Sequence, residues 1–149
     1  MNISDFKHSY QVRARQYEVD SQGIVHNAVY LEYFETGRIE YRRQFGYVLQ
    51  PNGIFTDGLK VVVVNNTINY HVPIILDDVV NIYTRIAWIK NSSFCFHQLI
   101  ENDKNKEVNC TGSGILVNLN PSNNTPEKLN EKFINEIKSF EKNIEILKR

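Results

Sequence analysis

Residues 10–17 alternate in character, with Tyr10, Val12 and Ala14 opposed to Gln11, Arg13 and Arg15. A period of two predicts a strand with one face on a core. The alternation stops at a polar loop, Glu18-Val19-Asp20-Ser21-Gln22-Gly23, where Gly23 is the natural pivot because glycine takes a positive φ without steric cost. Across residues 27–45 the period becomes helical. Tyr30, Phe34, Gly37, Tyr41 and Phe45 recur at intervals of four, three, four and four, and Leu31 and Ile39 broaden the stripe. Asn27 predicts the N-cap, with His26 as the other choice of boundary, and Gly46 predicts the end. Gly37 lowers helix propensity but lets the helix backbone approach a sheet closely.

Four strand-like runs follow, over residues 59–71, 79–89, 93–100 and 107–119. Val80, Ile82, Ile86 and Trp88 carry the alternation in the second run, and Phe94 and Phe96 in the third. Lys90-Asn91-Ser92 and Asn102-Asp103-Lys104-Asn105 read as tight turns. No connection between these runs is long enough for a crossover, which predicts antiparallel pairing. After a polar break at residues 121–126, Leu129, Phe133, Ile137, Phe140, Ile144 and Leu147 predict one amphipathic helix packed on the domain or on a subunit neighbour. The order strand, long helix, four strands, helix is an α+β layer architecture, expected as one domain over residues 1–149.

Composition narrows the partners. Seventeen acidic residues balance seventeen basic ones, so no net field points to nucleic acid or to an anionic membrane. A phosphate-bearing ligand would need a local basic patch. The first residues, Met1-Asn2-Ile3-Ser4-Asp5, lack a signal-peptide pattern, and no run has the apolar length of a membrane span, so a cytoplasmic location is expected. Cys95 and Cys110 are then expected as free buried thiols. His8, His71 and His97 lack metal-ligand spacing, so no metal is expected.

The segment with the most chemistry runs from Tyr17 to Tyr30. It sets a carboxylate, Asp20, in a tight loop a few residues before a long helix. A helix start presents unpaired N–H groups and a partial positive charge. Those donors can polarise a thioester carbonyl and stabilise its oxyanion, while a carboxylate attacks that carbonyl or activates a water. An Asp before a glycine turn also serves simply to satisfy loop amides. From spacing alone both readings of Asp20 stand.

The spacing Asp20, Gly23, Val25, Asn27, Tyr30 is accompanied by Tyr33-Phe34-Glu35-Thr36-Gly37-Arg38 in the helix and Gly46 at its end. Ile68-Asn69-Tyr70 before Pro73, Asp77-Asp78-Val79-Val80 and Ser92-Ser93 complete the set. Together these residues resemble the hydroxybenzoyl-coenzyme A thioesterase branch of the hotdog superfamily, which includes the acyl-coenzyme A hydrolases associated with the Tol-Pal system. The resemblance implies a five-stranded antiparallel sheet around a central helix, here with an added C-terminal helix, active as a homodimer or homotetramer. It implies hydrolysis of acyl-CoA without metal or redox cofactor, with Asp20 as the catalytic carboxylate, as base or nucleophile. The backbone N–H at Asn27, seven residues on, would polarise the carbonyl. Many Tol-Pal-associated members carry His at that position, whereas this chain has His26 one place earlier, which leaves a role for the Asn27 side chain open.

Gly23, His26 and Tyr30 are the expected pocket residues, Tyr17 and Tyr30 also reading as core aromatics. Glu35 and Arg38 stand at pairing distance along the helix, and a related hotdog branch uses a helix carboxylate, which makes Glu35 the reserve candidate. The resemblance puts the coenzyme A phosphates near Arg85, Lys90, Ser92 and Ser93, often across a subunit interface; the alternative is an ordinary solvated turn. Two rival functions use the same architecture: an acyl-carrier-protein thioesterase, and a non-catalytic acyl-thioester-binding module.

Overall fold

The computed structural model describes residues 1–147. The chain runs through β1 (His8–Arg13), α1 (Val29–Arg43), β2 (Val61–Tyr70), β3 (Val79–Ile89), β4 (Ser93–Asn102), β5 (Val108–Asn118), α2 (Glu131–Phe140) and β6 (Glu145–Ile146). The first five strands form one antiparallel sheet in the order β1-β3-β4-β5-β2. This is the expected α+β hotdog layout with its C-terminal helix.

The inner face of the sheet is largely apolar, with buried Thr84 and Gln98 near its middle, and α1 lies on it. At the N-terminal end of α1, Tyr30, Tyr33 and Phe34 pack with Val80, Ile82, Ile100 and Cys110. At its other end Tyr41 packs with Ile86, Phe94, Phe96 and Leu116, and Phe133 and Ile137 of α2 close this second cluster. Gly37 sits between the two clusters. A Cβ built there would lie 2.7 Å from Ile82 Cγ2 and 2.8 Å from both Gln98 Nε2 and Thr84 Oγ1. The helix therefore rests on the sheet through bare backbone, as the sequence pattern predicts. Gly37→Ala is expected to destabilise by about 2–3 kcal/mol despite alanine's higher helix propensity, because three core side chains must shift. Urea titration would check it, and a midpoint unchanged from wild type would contradict the close approach.

Several boundaries depart from the sequence reading. β1 begins at His8 and ends at Arg13, because the chain turns through a single 3-10 turn, Gln16–Glu18, whose Glu18 carboxylate accepts the Arg15 N–H at 2.7 Å. Tyr17 on that turn is 86% exposed and is not a core aromatic. The cap of α1 is Ala28, which offers no side-chain hydrogen bond, and Leu31 faces outward. The last helix stops at Phe140, well short of the predicted stripe. Glu141 turns its carboxylate inward, where Oε2 accepts the Tyr41 hydroxyl at 2.6 Å and the Ile86 N–H at 3.0 Å. Beyond it the chain is extended, and β6 adds a short parallel pairing with Trp88 and Ile89 of β3. β2 closes the other side of the sheet as an edge strand, with Val62, Val63 and Val64 exposed.

Candidate active site

The Asp20 loop is a tight turn. Asp20 N–H donates to the Ile24 carbonyl at 2.8 Å, and Gly23 N–H donates to the Asp20 carbonyl at 3.0 Å. Gly23 has φ +79°, the left-handed conformation expected of the pivot. One carboxylate oxygen of Asp20 accepts the Gln22 N–H at 2.8 Å, which fixes the side chain against its own loop. Val25 N–H donates to the Ile74 carbonyl at 2.7 Å, and Ile24 bridges Ile75, so the segment after β2 anchors the loop.

Nine residues after Asp20 the chain enters α1. Val29 N–H donates to the His26 carbonyl at 2.9 Å, and Ala28 N–H donates to His26 Nδ1 at 3.0 Å. Among the described residues, the Asn27 N–H has no acceptor. Asp20, His26, Asn27 and Tyr30 line one cavity of about 430 Å³, with Tyr70, His71, Val72 and Pro73 forming the opposite wall. Gly23 shapes the loop without lining the cavity. The Tyr30 ring is buried, and its hydroxyl accepts the Ile74 N–H at 3.2 Å. Burial pushes the Tyr30 phenol above its ordinary pKa, so it stays neutral. Tyr70 meets Tyr30 edge-on at 5.0 Å and donates from its hydroxyl to the Asn27 carbonyl at 3.0 Å.

The sequence reading omits the wall formed by Tyr70 to Pro73. Its signal is the Tyr70-His71-Val72-Pro73 run itself: a proline has no N–H for a sheet ladder and ends a strand where a loop must begin. The nearby thiol is no nucleophile. Cys110 is fully buried, and desolvation pushes its pKa up to about 12. Burial raises Cys95 likewise. Among the described residues no group of three or more His, Cys, Asp and Glu side chains is placed to hold a metal ion.

The expected coenzyme A residues lie elsewhere in the chain. β3 starts beside the Asp20 loop and runs 11 residues to the Lys90 turn. At the usual rise that separates the two by about 33 Å. Lys90 N–H donates to the Ser93 carbonyl at 2.8 Å, the Ser92 carbonyl accepts the Asn118 N–H at 2.8 Å, and Arg85 donates to the Asn143 carbonyl at 3.2 Å. The Lys90 ammonium sits over the Trp88 ring at 5.2 Å. Within one chain, then, Arg85, Lys90, Ser92 and Ser93 are not brought to Asp20. Glu35 is also apart: with Arg38 it lines a second, mostly apolar cavity of about 190 Å³ beside Phe55, Leu59 and Val63. The two form no ion pair among the described residues; Arg38 instead donates to Gln98 Oε1 at 3.4 Å.

A sheet of this order around one central helix is the hotdog layout. The family model described as the thioesterase superfamily matches residues 22–109, and the chain belongs to that superfamily. It is 28% identical over 138 residues to the acyl-CoA thioester hydrolase YbgC of Escherichia coli O6:H1, covering 93% of this chain and 99% of the relative. Against the acyl-CoA thioesterase YbgC of Haemophilus influenzae the identity is 32% over 90 residues, covering 60% of this chain and 65% of that one. A thioesterase from Thermus thermophilus, solved with coenzyme A and zinc, superposes with a TM-score of 0.76 at 28% identity, covering 92% of this chain and 96% of the other.

Proposed function

We propose that the protein hydrolyses acyl-CoA thioesters to a free acid and coenzyme A in the cavity between the Asp20 loop and the start of α1. The observation that supports this reading is that Asp20 and Asn27, whose N–H has no acceptor among the described residues, line one cavity. The Asn27 N–H donates to the thioester oxygen and stabilises the charge it gains, helped by the positive end of α1. Asp20 takes a proton from an attacking water, whose oxygen bonds to the carbonyl carbon. The C–S bond breaks, and the proton passes to the departing thiolate. In the nucleophilic variant Asp20 itself bonds to the carbonyl carbon, the C–S bond breaks and coenzyme A leaves as the thiolate; water then cleaves the resulting anhydride, which restores the Asp20 carboxylate, releases the acid and supplies the proton that the thiolate takes up. Neither route draws on a metal or redox cofactor. The similarity to acyl-CoA hydrolases over 93% of the chain supports the same substrate class.

The test is hydrolysis of short, medium, long and aromatic acyl-CoAs, followed by release of free thiol, with the matching acyl-carrier-protein thioesters run in parallel. Turnover on one or more acyl-CoAs is expected. Activity on carrier-protein thioesters alone would move the substrate class, and binding without turnover would make the chain a non-catalytic module.

The active form is a homodimer or homotetramer in the cytoplasm, without nucleic acid or membrane partners. β2 supports this, since it leaves a row of backbone donors and acceptors and exposed valines on the sheet edge, a surface that a second copy can cover. Light scattering is expected to give at least a dimer, and a fully active monomer would contradict it. An oligomer also gives the Arg85, Lys90, Ser92 and Ser93 set a way to reach a substrate held by a second copy. Lys90→Ala and Arg85→Ala are accordingly expected to raise KM, leave kcat nearly intact and weaken the dependence on ionic strength. Steady-state kinetics at two salt concentrations would show it.

A further inference from the structure

The peptide unit joining Asn27 to Ala28 is held at both ends by side chains. Its carbonyl accepts the Tyr70 hydroxyl at 3.0 Å, and its N–H donates to His26 Nδ1 at 3.0 Å. The preceding unit, joining His26 to Asn27, is held only through its carbonyl, which accepts the Val29 N–H at 2.9 Å. The His26 backbone N–H is tied to the Glu18 carbonyl at 2.9 Å. Of the three successive amides at residues 26–28, the outer two are therefore occupied, and the middle one, that of the cavity-lining Asn27, has no acceptor among the described residues. Neither holding residue belongs to the helix proper: His26 precedes it, and Tyr70 ends the edge strand β2, 43 residues on.

We propose that Tyr70 and His26 are positioning residues that grip the Asn27–Ala28 peptide from opposite ends and so aim the Asn27 N–H at the thioester oxygen. The inference rests on the hydrolase reading for its consequence but not for its geometry. A donor is useful to an oxyanion only when it points at the place where charge develops, and a rigid peptide holds that direction without reorganising during the reaction. His26 accepts through Nδ1, so in this contact the ring caps the Ala28 amide. The i to i+2 reach is that of an Asx turn, in which an asparagine oxygen accepts the N–H two residues on. Asparagine at position 26 can therefore do the holding and none of the proton transfer. The Tyr70 hydroxyl can be removed with its ring left edge-on against Tyr30. Both side chains are solvent-exposed, so neither change opens a core cavity.

Three variants separate the possibilities: His26→Ala, His26→Asn and Tyr70→Phe. Misaimed donors cost rate rather than affinity, so His26→Ala and Tyr70→Phe are expected to lose roughly tenfold to a hundredfold in kcat with KM little changed. His26→Asn should restore most of the turnover lost in His26→Ala. Amide hydrogen exchange reads the grip without any substrate. The Ala28 amide should exchange slowly in the wild type and in His26→Asn, and fast in His26→Ala. The proposal is overturned if His26→Asn is as slow as His26→Ala, since the imidazole would then take part in the chemistry itself. It is equally overturned if Tyr70→Phe raises KM at constant kcat, or if Ala28 exchanges alike in all three proteins. A wild type with the expected exchange pattern but no thioester hydrolysis would sink the hydrolase reading and support the grip.

Discussion

Asp20→Asn is expected to fold, to bind acyl-CoA, and to turn over about 10²–10⁴-fold more slowly than the wild type, the usual contribution of a positioned acid–base group. Folding should survive because the only hydrogen bond the Asp20 side chain makes among the described residues is the one its carboxylate oxygen accepts from Gln22 N–H, and the asparagine oxygen can accept the same bond. The loop is further held by backbone alone, through the Ile24 and Gly23 contacts, so the turn does not depend on charge. What the substitution removes is the proton acceptor and the nucleophile together. KM should change little, since the acyl and phosphate contacts remain. The comparison that gives the result meaning is Glu35→Gln. Glu35 lines the other cavity, on the outer part of α1, and is expected to keep substantial turnover if one chain supplies the carboxylate through its loop. An active Asp20→Asn beside a dead Glu35→Gln would hand the chemistry to the helix. If both variants kept full turnover, the carboxylate mechanism would be wrong.

The parts of this molecule that were legible in the sequence are those set by local periodicity. The Tyr30-Phe34-Gly37-Tyr41 stripe places α1 on the sheet, and the close approach at Gly37 follows from a missing side chain that can be read directly. β3 begins and ends where its pattern predicts, but a bulge between Ile86 and Trp88 breaks the alternation, so Ile89 and not Trp88 enters the core. Asp20, His26, Asn27 and Tyr30 converge on one cavity because a turn and a helix start hold them within eleven residues of one another. The opposite wall depends on register. Tyr70 reaches Asn27 only because β2 pairs with β5 so that Tyr70 stands across from Cys110, and no local pattern fixes that alignment. The C-terminus fails for a different reason. Ile144 packs on the second cluster, and Leu147 N–H donates to the Ile89 carbonyl from extended chain, yet both fit the helical spacing equally well. The break comes from one residue, Glu141, whose inward carboxylate bonds Tyr41 and the Ile86 amide; a charged residue in an amphipathic run reads as solvent-facing until its partners are known. The distance from Asp20 to the Lys90 turn was hidden in the same way, since spacing along a chain says nothing of which end of a strand faces the site.

The largest stability loss is expected from Asp57→Ala, and it comes from a pair that no sequence pattern singles out. Arg42, in the last turn of α1, is a buried cation among the aromatic residues of the second core cluster. Its guanidinium lies 4.5 Å from the Tyr47 ring, 4.9 Å from Phe55 and 5.3 Å from Phe133, so three π faces share the charge. Its ionic partner is Asp57, whose second oxygen accepts the Leu59 N–H at 3.2 Å and so ties the loop before β2 to the helix. Arg42 Nε is left without an acceptor, so Asp57 carries the compensation for burying this charge. Removing one partner of a buried pair leaves the other charge in low dielectric and costs about 3–5 kcal/mol. The Asp57 side chain is 11% exposed, so water can reach part of the gap and the loss should fall near the lower end, about 3 kcal/mol. The aromatic faces alone are too weak to replace a carboxylate, at about 0.5–2 kcal/mol for a cation over a ring. Arg42→Met in the Asp57→Ala background removes the stranded charge while keeping a long apolar side chain against the same rings. The double variant should therefore be more stable than Asp57→Ala alone, reversing the ordinary expectation that two core changes are worse than one. Denaturant midpoints of the wild type, both single variants and the double variant close the cycle. If the double variant is less stable than Asp57→Ala, Arg42 is held by its ring contacts and not by the ion pair.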